Sequence, residues 1–161
     1  MAKLKIVQEA NEAGSGVSQN DLLGLVGYNL KRAYMLIHGD FRATLEALNV
    51  SQRTFSVLSV VVENPDISQS DVARALGIER SGTVVIVDEL ENRDMIERNK
   101  VPGDRRAYAL RVTKVGQAAY REALAIVQAH EDTFLSNFSE KERTVLRELL
   151  SRIHGVSLTE E

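Results

Sequence analysis

Cysteine is absent from all 161 residues, which excludes disulfides, thiol catalysis, cysteine redox sensing and Cys-based zinc sites. Long apolar runs are missing too: the densest, VLSVVV and TVVIV, fall far short of the ~20 residues a membrane-spanning helix needs. The opening segment MAKLKIVQEANEAGSG has neither an extended apolar stretch nor a small-residue cleavage site. No secretory signal is therefore expected, no membrane partner, and a cytoplasmic location. There is no nucleophile–base arrangement, Gly-rich phosphate loop or H-E-x-x-H run, so neither an enzyme nor a cofactor is indicated. A basic excess is also lacking. The net charge is -3 and the pI about 5.7, below the range expected of a nucleic-acid-binding domain.

The charge is nevertheless uneven. Across 98–111, Arg98, Lys100, Arg105, Arg106 and Arg111 stand against Asp104 alone. A locally basic segment on an acidic body is the pattern to explain, because local potential, not net charge, steers a charged partner.

Residues 1–17 read as a polar arm. SQND at 18–21 resembles a capping box, followed by apolar residues at helical spacing (Leu22, Val26, Leu30, Ala33, Ile37, Phe41, Leu45, Leu48). This predicts one helix over about 20–47, with Gly39 as a tolerated weak point. Ser51 starts a second helix with Phe55, Leu58 and Val61 or Val62 on its inner face, stopped at Pro65. SQSD at 68–71 caps a short helix that ends at Gly77, a residue suited to a left-handed stop. A further helix runs over about 80–93. Strands follow at about 96–99 and 108–112, with Tyr108, Leu110 and Val112 on one side and Ala109 and Arg111 on the other.

Thr113 caps a helix to about 135, with Ala118, Ala119, Ala123, Ile126, Val127 and Phe134 as its apolar side. SEKE at 139–142 caps a last helix bearing Val145, Leu146, Leu149, Leu150 and Ile153. The expected fold is mainly α with a small β-hairpin, in the order α-α-α-α-β-β-α-α: a winged helix-turn-helix core at 51–112 flanked by long helices at 18–50 and 113–155. Those helices carry more apolar surface than the core can cover, so a two-fold homodimer is expected.

The segment DRRAYALRVT at 104–113 fits the pattern D-x-R-x-x-x-L-x-[LV]-T, and LGIERSGTVVIVDELENRDMIER at 76–98 resembles a run that reads L-G-[IV]-x-x-[ST] and then V-D-x-L-E-x-[RK]-G-[LY]-[IV]. In order and spacing these motifs resemble the MarR family of bacterial transcriptional regulators over roughly 20–153. There are two departures. Val84 and Val85 stand where many relatives have Thr and a basic residue, and Asp94 stands where relatives usually have Gly, suggesting a slightly different turn. The resemblance implies a ligand-responsive homodimeric repressor on an inverted-repeat operator in double-stranded DNA. It also implies that Arg106, held by Asp104, enters the minor groove, where negative potential is concentrated.

Each candidate has a plainer alternative. Arg105 and Arg106, with Lys100 beside them, either position the hairpin on DNA or form a solvated turn. With Thr83, Ile86, Val87 and Leu90 turned inward, Arg80, Ser81, Gly82, Val84 and Val85 fall on or near the opposite face and could meet the major groove. The two valines could equally be buried. Ser68 and Gln69 either hold backbone phosphate at a helix N-terminus or merely cap it.

Tyr34, His38, Arg42 and Phe55 suit an aromatic ring with an anionic or thioester end, and relatives bind small aromatic acids in that region; dimer packing is the alternative. The effector would be an aromatic acid or its coenzyme A thioester, and the lack of Cys excludes the family's peroxide-sensing mode. His38, His130 and His154 match no metal spacing, so no metal site is expected. A metal-responsive regulator using them, and a winged-helix module that binds protein, remain the rival functions.

Overall fold

In the computed structural model, residues 18–46, 48–101 and 104–155 are described, without the side chains of residues 40, 42, 43, 46 and 101–107. The chain divides after Ala43 into two units.

In the first unit the expected single helix is broken. α1 (Asn20–Leu23) ends at Gly24, and α2 (Val26–Glu46) begins two residues later and runs on into the second unit. The amide side chain of Asn29 donates to the carbonyls of Leu23, at 2.7 Å, and Leu25, at 2.9 Å. That capture satisfies the Leu23 carbonyl, which a continuous helix would have paired with a backbone amide, while the Leu25 carbonyl also accepts the Asn29 backbone amide at 3.2 Å. The SQND cap does not form: Gln19 occupies the N-cap position, with no side-chain cap bond. Gly39 continues the helix. Along these two helices and at the break between them, Leu22, Leu25, Val26, Leu30, Met35 and Ile37 are exposed in the single chain.

The second unit builds its elements from local signals. Ser51 accepts the Thr54 amide at 3.0 Å and starts α3 (Gln52–Glu63), which ends at Asn64 just before Pro65. Its inner face is Thr54, Val57, Leu58 and Val61, with Phe55 only half-buried. A two-residue strand, β1 (Ile67–Ser68), follows, an element absent from the sequence expectation. Then come α4 (Gln69–Leu76), α5 (Arg80–Asn92), β2 (Ile96–Val101), β3 (Asp104–Val112), α6 (Lys114–Phe134) and α7 (Glu140–His154).

The sheet order is β1-β3-β2, antiparallel throughout. Ile67 lies opposite Leu110, and β2 pairs with β3 from Ile96–Val112 to Lys100–Tyr108. The register slips after Lys100, so that Val101 faces Asp104. Both hairpin strands are longer than the periodicity suggests.

Val57, Leu58, Val61, Val72, Val87, Leu90 and Leu110 form a core from α3, α4, α5 and β3. Full burial of Leu90 or Leu110 is worth about 1.5–3 kcal/mol each. Tyr120 of α6 joins this core; its ring stacks on Phe55 at 5.9 Å and its hydroxyl lies 3.4 Å from Ser59 Oγ. The buried side of α6 is therefore Gly116, Tyr120, Ala123 and His130, whereas Ala118 faces solvent. A tyrosine whose polar tip finds a partner buries more area than the alanine beside it. On α7 the SEKE capping box is present, and Val145, Leu149 and Ile153 are exposed in the single chain.

Candidate nucleic-acid interface

The helix pair at 69–92 is set by three short-range devices. Ser68 accepts the Asp71 amide at 3.1 Å and donates its hydroxyl to Asp71 Oδ2 at 2.6 Å, fixing the start of α4. Asp71 is held below the usual carboxylate range, first by that Ser68 bond and then by the Arg74 guanidinium. Gly77 takes the left-handed conformation (φ 61°) that turns the chain, a region open to glycine without steric cost. Thr83 is buried and returns its hydroxyl to the Glu79 carbonyl at 3.1 Å.

α5 then shows two sharply different faces. Thr83, Val87 and Leu90 are wholly buried and Ile86 nearly so. Arg80, Ser81, Gly82, Val84 and Val85 are all exposed, Val84 at 43% and Val85 at 67%. The valines are thus outside the core. Ser68 and Gln69 are half-buried at the start of α4, where the Ser68 hydroxyl is engaged in capping.

Among the hairpin cations whose side chains are described, Arg98 and Arg111 are engaged. Arg98, on β2, has a side chain only 18% exposed and forms ion pairs with Asp88 and Glu91, both on α5. Burial alone would lower the Arg98 guanidinium, but these two partners outweigh it and hold it above its ordinary value. Arg111 makes a bidentate pair with Asp66, 2.6 Å on each arm. That bond holds Asp66 below the usual carboxylate range and ties β3 to the segment entering β1. Asp66 is itself in the left-handed region, φ 67°. Lys100 is exposed further out on β2. Asp104, Arg105 and Arg106 belong to β3 by backbone; their side chains lie outside the described residues.

The turn from α5 to β2 is clamped by α6. Thr113 donates its hydroxyl to the Asp94 carbonyl at 2.5 Å, its amide donates to the Met95 carbonyl at 3.0 Å, and its oxygen accepts the Gly116 amide at 3.0 Å. Asp94 has φ 54°. The turn therefore takes the left-handed conformation at a non-glycine residue. Asp is among the few side chains that tolerate that region. Residue types alone did not point to Gly116 and gave Arg98 only as one of a basic cluster; the importance of both rests on non-local contacts.

The suggested effector residues divide between the units. Tyr34 is exposed and His38 half-buried on α2 of the first unit, with ring centroids 5.0 Å apart. Phe55 belongs to the second unit, stacked on Tyr120. The Arg42 side chain lies outside the described residues. Among the described residues no three His, Asp or Glu side chains are grouped so as to hold a metal ion, and no helix is long and apolar enough to cross a membrane.

A capped helix pair with a left-handed turn, followed by a hairpin that returns to the first helix through a short third strand, defines a winged helix-turn-helix protein. A MarR family model matches residues 48–107. A Thauera aromatica protein named as transcriptional regulator for the hcr operon is 30% identical over 146 residues, 90% of this chain and 88% of that protein. The transcriptional repressor CouR, solved on a 23-mer DNA duplex, aligns with TM-score 0.80 and 32% identity over 86% of this chain and 98% of that one. CouR of Rhodococcus jostii RHA1 bound to p-coumaroyl-CoA gives TM-score 0.75 and 27% identity with the same coverage. The chain belongs to the MarR family of transcriptional regulators.

Proposed function

We propose that the chain is a homodimeric repressor of an inverted-repeat operator, released from DNA by an aromatic acyl-coenzyme A thioester or its parent acid. What carries this reading is the face of α5, where Arg80, Ser81, Gly82, Val84 and Val85 are bare while the helix is otherwise anchored in the core. Helices 18–50 and 113–155 form the dimer in this scheme. The exposed Leu22, Val26 and Leu30 on one side and Val145, Leu149 and Ile153 on the other supply apolar surface for it. The lobes at 51–112 bind DNA, with half-sites about one helical turn apart. Ser68 and Gln69 meet phosphate, and Lys100, Arg105 and Arg106, the last oriented by Asp104, position the wing. Among similar structures, one is a repressor on duplex DNA and another holds p-coumaroyl-CoA, which supports both halves of the scheme.

A mobility-shift assay on the chain's own upstream region, at two salt concentrations, tests the DNA half. Arg106→Ala should weaken binding about tenfold and flatten the salt slope by about 1, the loss of one cation contact. Unchanged affinity would remove the wing from the scheme, and no shift at either salt concentration would favour a protein-binding module.

For the effector half, p-coumaroyl-CoA should raise the melting temperature of the free protein and release it from DNA. A ligand shifts such an equilibrium only as far as it prefers the unbound geometry. His38→Ala should retain DNA binding and lose the response to the thioester. A normal response in that variant removes His38 from the scheme.

A further inference from the structure

We propose that Val84 and Val85 read thymine methyl groups, so that the central bases of each half-site are selected by apolar contact rather than by hydrogen bonds. The inference rests on the DNA-binding reading and specifies what the recognition surface selects.

Neither of these two side chains belongs to the core or packs against it. Val84 and Val85 are 43% and 67% exposed, next to four residues that are between 0 and 9% exposed. A β-branched residue on a helix surface loses χ1 freedom and gains nothing from burial, so straight-chain residues are favoured there. The surrounding face is poor in groups that could bond a base edge. Arg80 is the sole cation of α5 and sits in its first residue. Asp88, one turn beyond Val84, is held by Arg98, and Glu89 by Arg93. The Thr83 hydroxyl is turned back to the Glu79 carbonyl. What remains at mid-helix is two isopropyl groups.

In the major groove the apolar group available to them is the C5 methyl of thymine. The reach of the face fits as well. Ser81, Gly82, Val84 and Val85 are all short, and a Cβ added at Gly82 would meet nothing within 4 Å. The helix can thus sit close to the base edges, as short side chains require.

The test uses a duplex chosen by the protein itself. The full chain is used to select bound molecules from a randomised 30-base-pair library, and the best duplex is resynthesised with single thymines replaced by deoxyuridine, which removes one methyl and leaves every hydrogen-bonding group. At one or two positions per half-site each replacement should weaken binding about three- to fivefold, the scale of one buried methyl. Val85→Ala or Val84→Ala should weaken binding to the thymine duplex by a similar factor and abolish the uridine effect at the matching position. Both side chains being exposed, unchanged melting temperatures are expected to show that the fold is intact.

If every uridine duplex binds like its parent, or if both variants keep the full uridine effect, the methyl-reading proposal is overturned while DNA binding stands. If selection enriches no duplex at all, the DNA-binding reading fails and the proposal with it.

Discussion

Gly116→Ala is expected to destabilise the folded chain by about 3 kcal/mol, the upper end of overpacking penalties, and to lower the melting temperature by about 10 °C for a chain of this size. An added Cβ would stand 1.9 Å from the Met95 carbonyl oxygen and 2.7 Å from its carbon. Those are backbone atoms, so no rotamer change can relieve the clash. Nor can the turn easily withdraw. The Met95 carbonyl accepts the Thr113 amide, the Met95 amide donates to the Leu90 carbonyl at 2.9 Å, and the Met95 side chain is itself buried. Moving the turn would strain the end of α5 and the start of β2 together. Gly82→Ala is the matched control, since a Cβ there meets nothing and alanine is the better helix former. Thermal melting of the two variants without DNA should give a large fall and no fall, respectively. Equal melting temperatures would mean that α6 does not press on the turn as closely as 1.9 Å implies.

The two glycines also separate what a sequence discloses from what it conceals. Ser51, Ser68, Thr113 and Ser139 act as helix caps as their spacing predicts, because each bond closes within three residues. The set Thr83, Ile86, Val87 and Leu90 does face inward, but the run VVIV leaves the rotation of that helix open until its neighbours are placed. Gly24 and Gly39 look equivalent as letters, yet only Gly24 breaks the helix, where Asn29 is placed to bond the neighbouring carbonyls. β1 has two residues and no period; it exists because β3 offers an edge. The basic hairpin was legible as a charge cluster. That two of its cations are engaged at its base was not, since Asp66 is 45 residues from Arg111 in sequence and Asp88 is 10 from Arg98.

Arg98→Ala is expected to weaken DNA binding more than tenfold while costing only about 1–2 kcal/mol of stability, the scale of charged hydrogen bonds with partly hydrated partners. The guanidinium rises from β2 with its side chain 18% exposed, and it bonds carboxylates on two successive turns of α5. It therefore fixes the angle between wing and recognition helix, making it a positioning residue. Asp88 and Glu91 are 51% and 40% exposed, so water can rehydrate them when Arg98 is gone, which keeps the stability loss small. Binding suffers twice. The hairpin loses its tether, and two unpaired carboxylates on α5 then oppose the phosphate backbone. Adding Asp88→Asn and Glu91→Gln to Arg98→Ala should recover the electrostatic part of the affinity and leave the part due to the lost tether. A melting curve and a salt-resolved binding curve on the single and triple variants separate the two contributions. Wild-type affinity in the single variant would show that wing and helix keep their relative angle without this bridge.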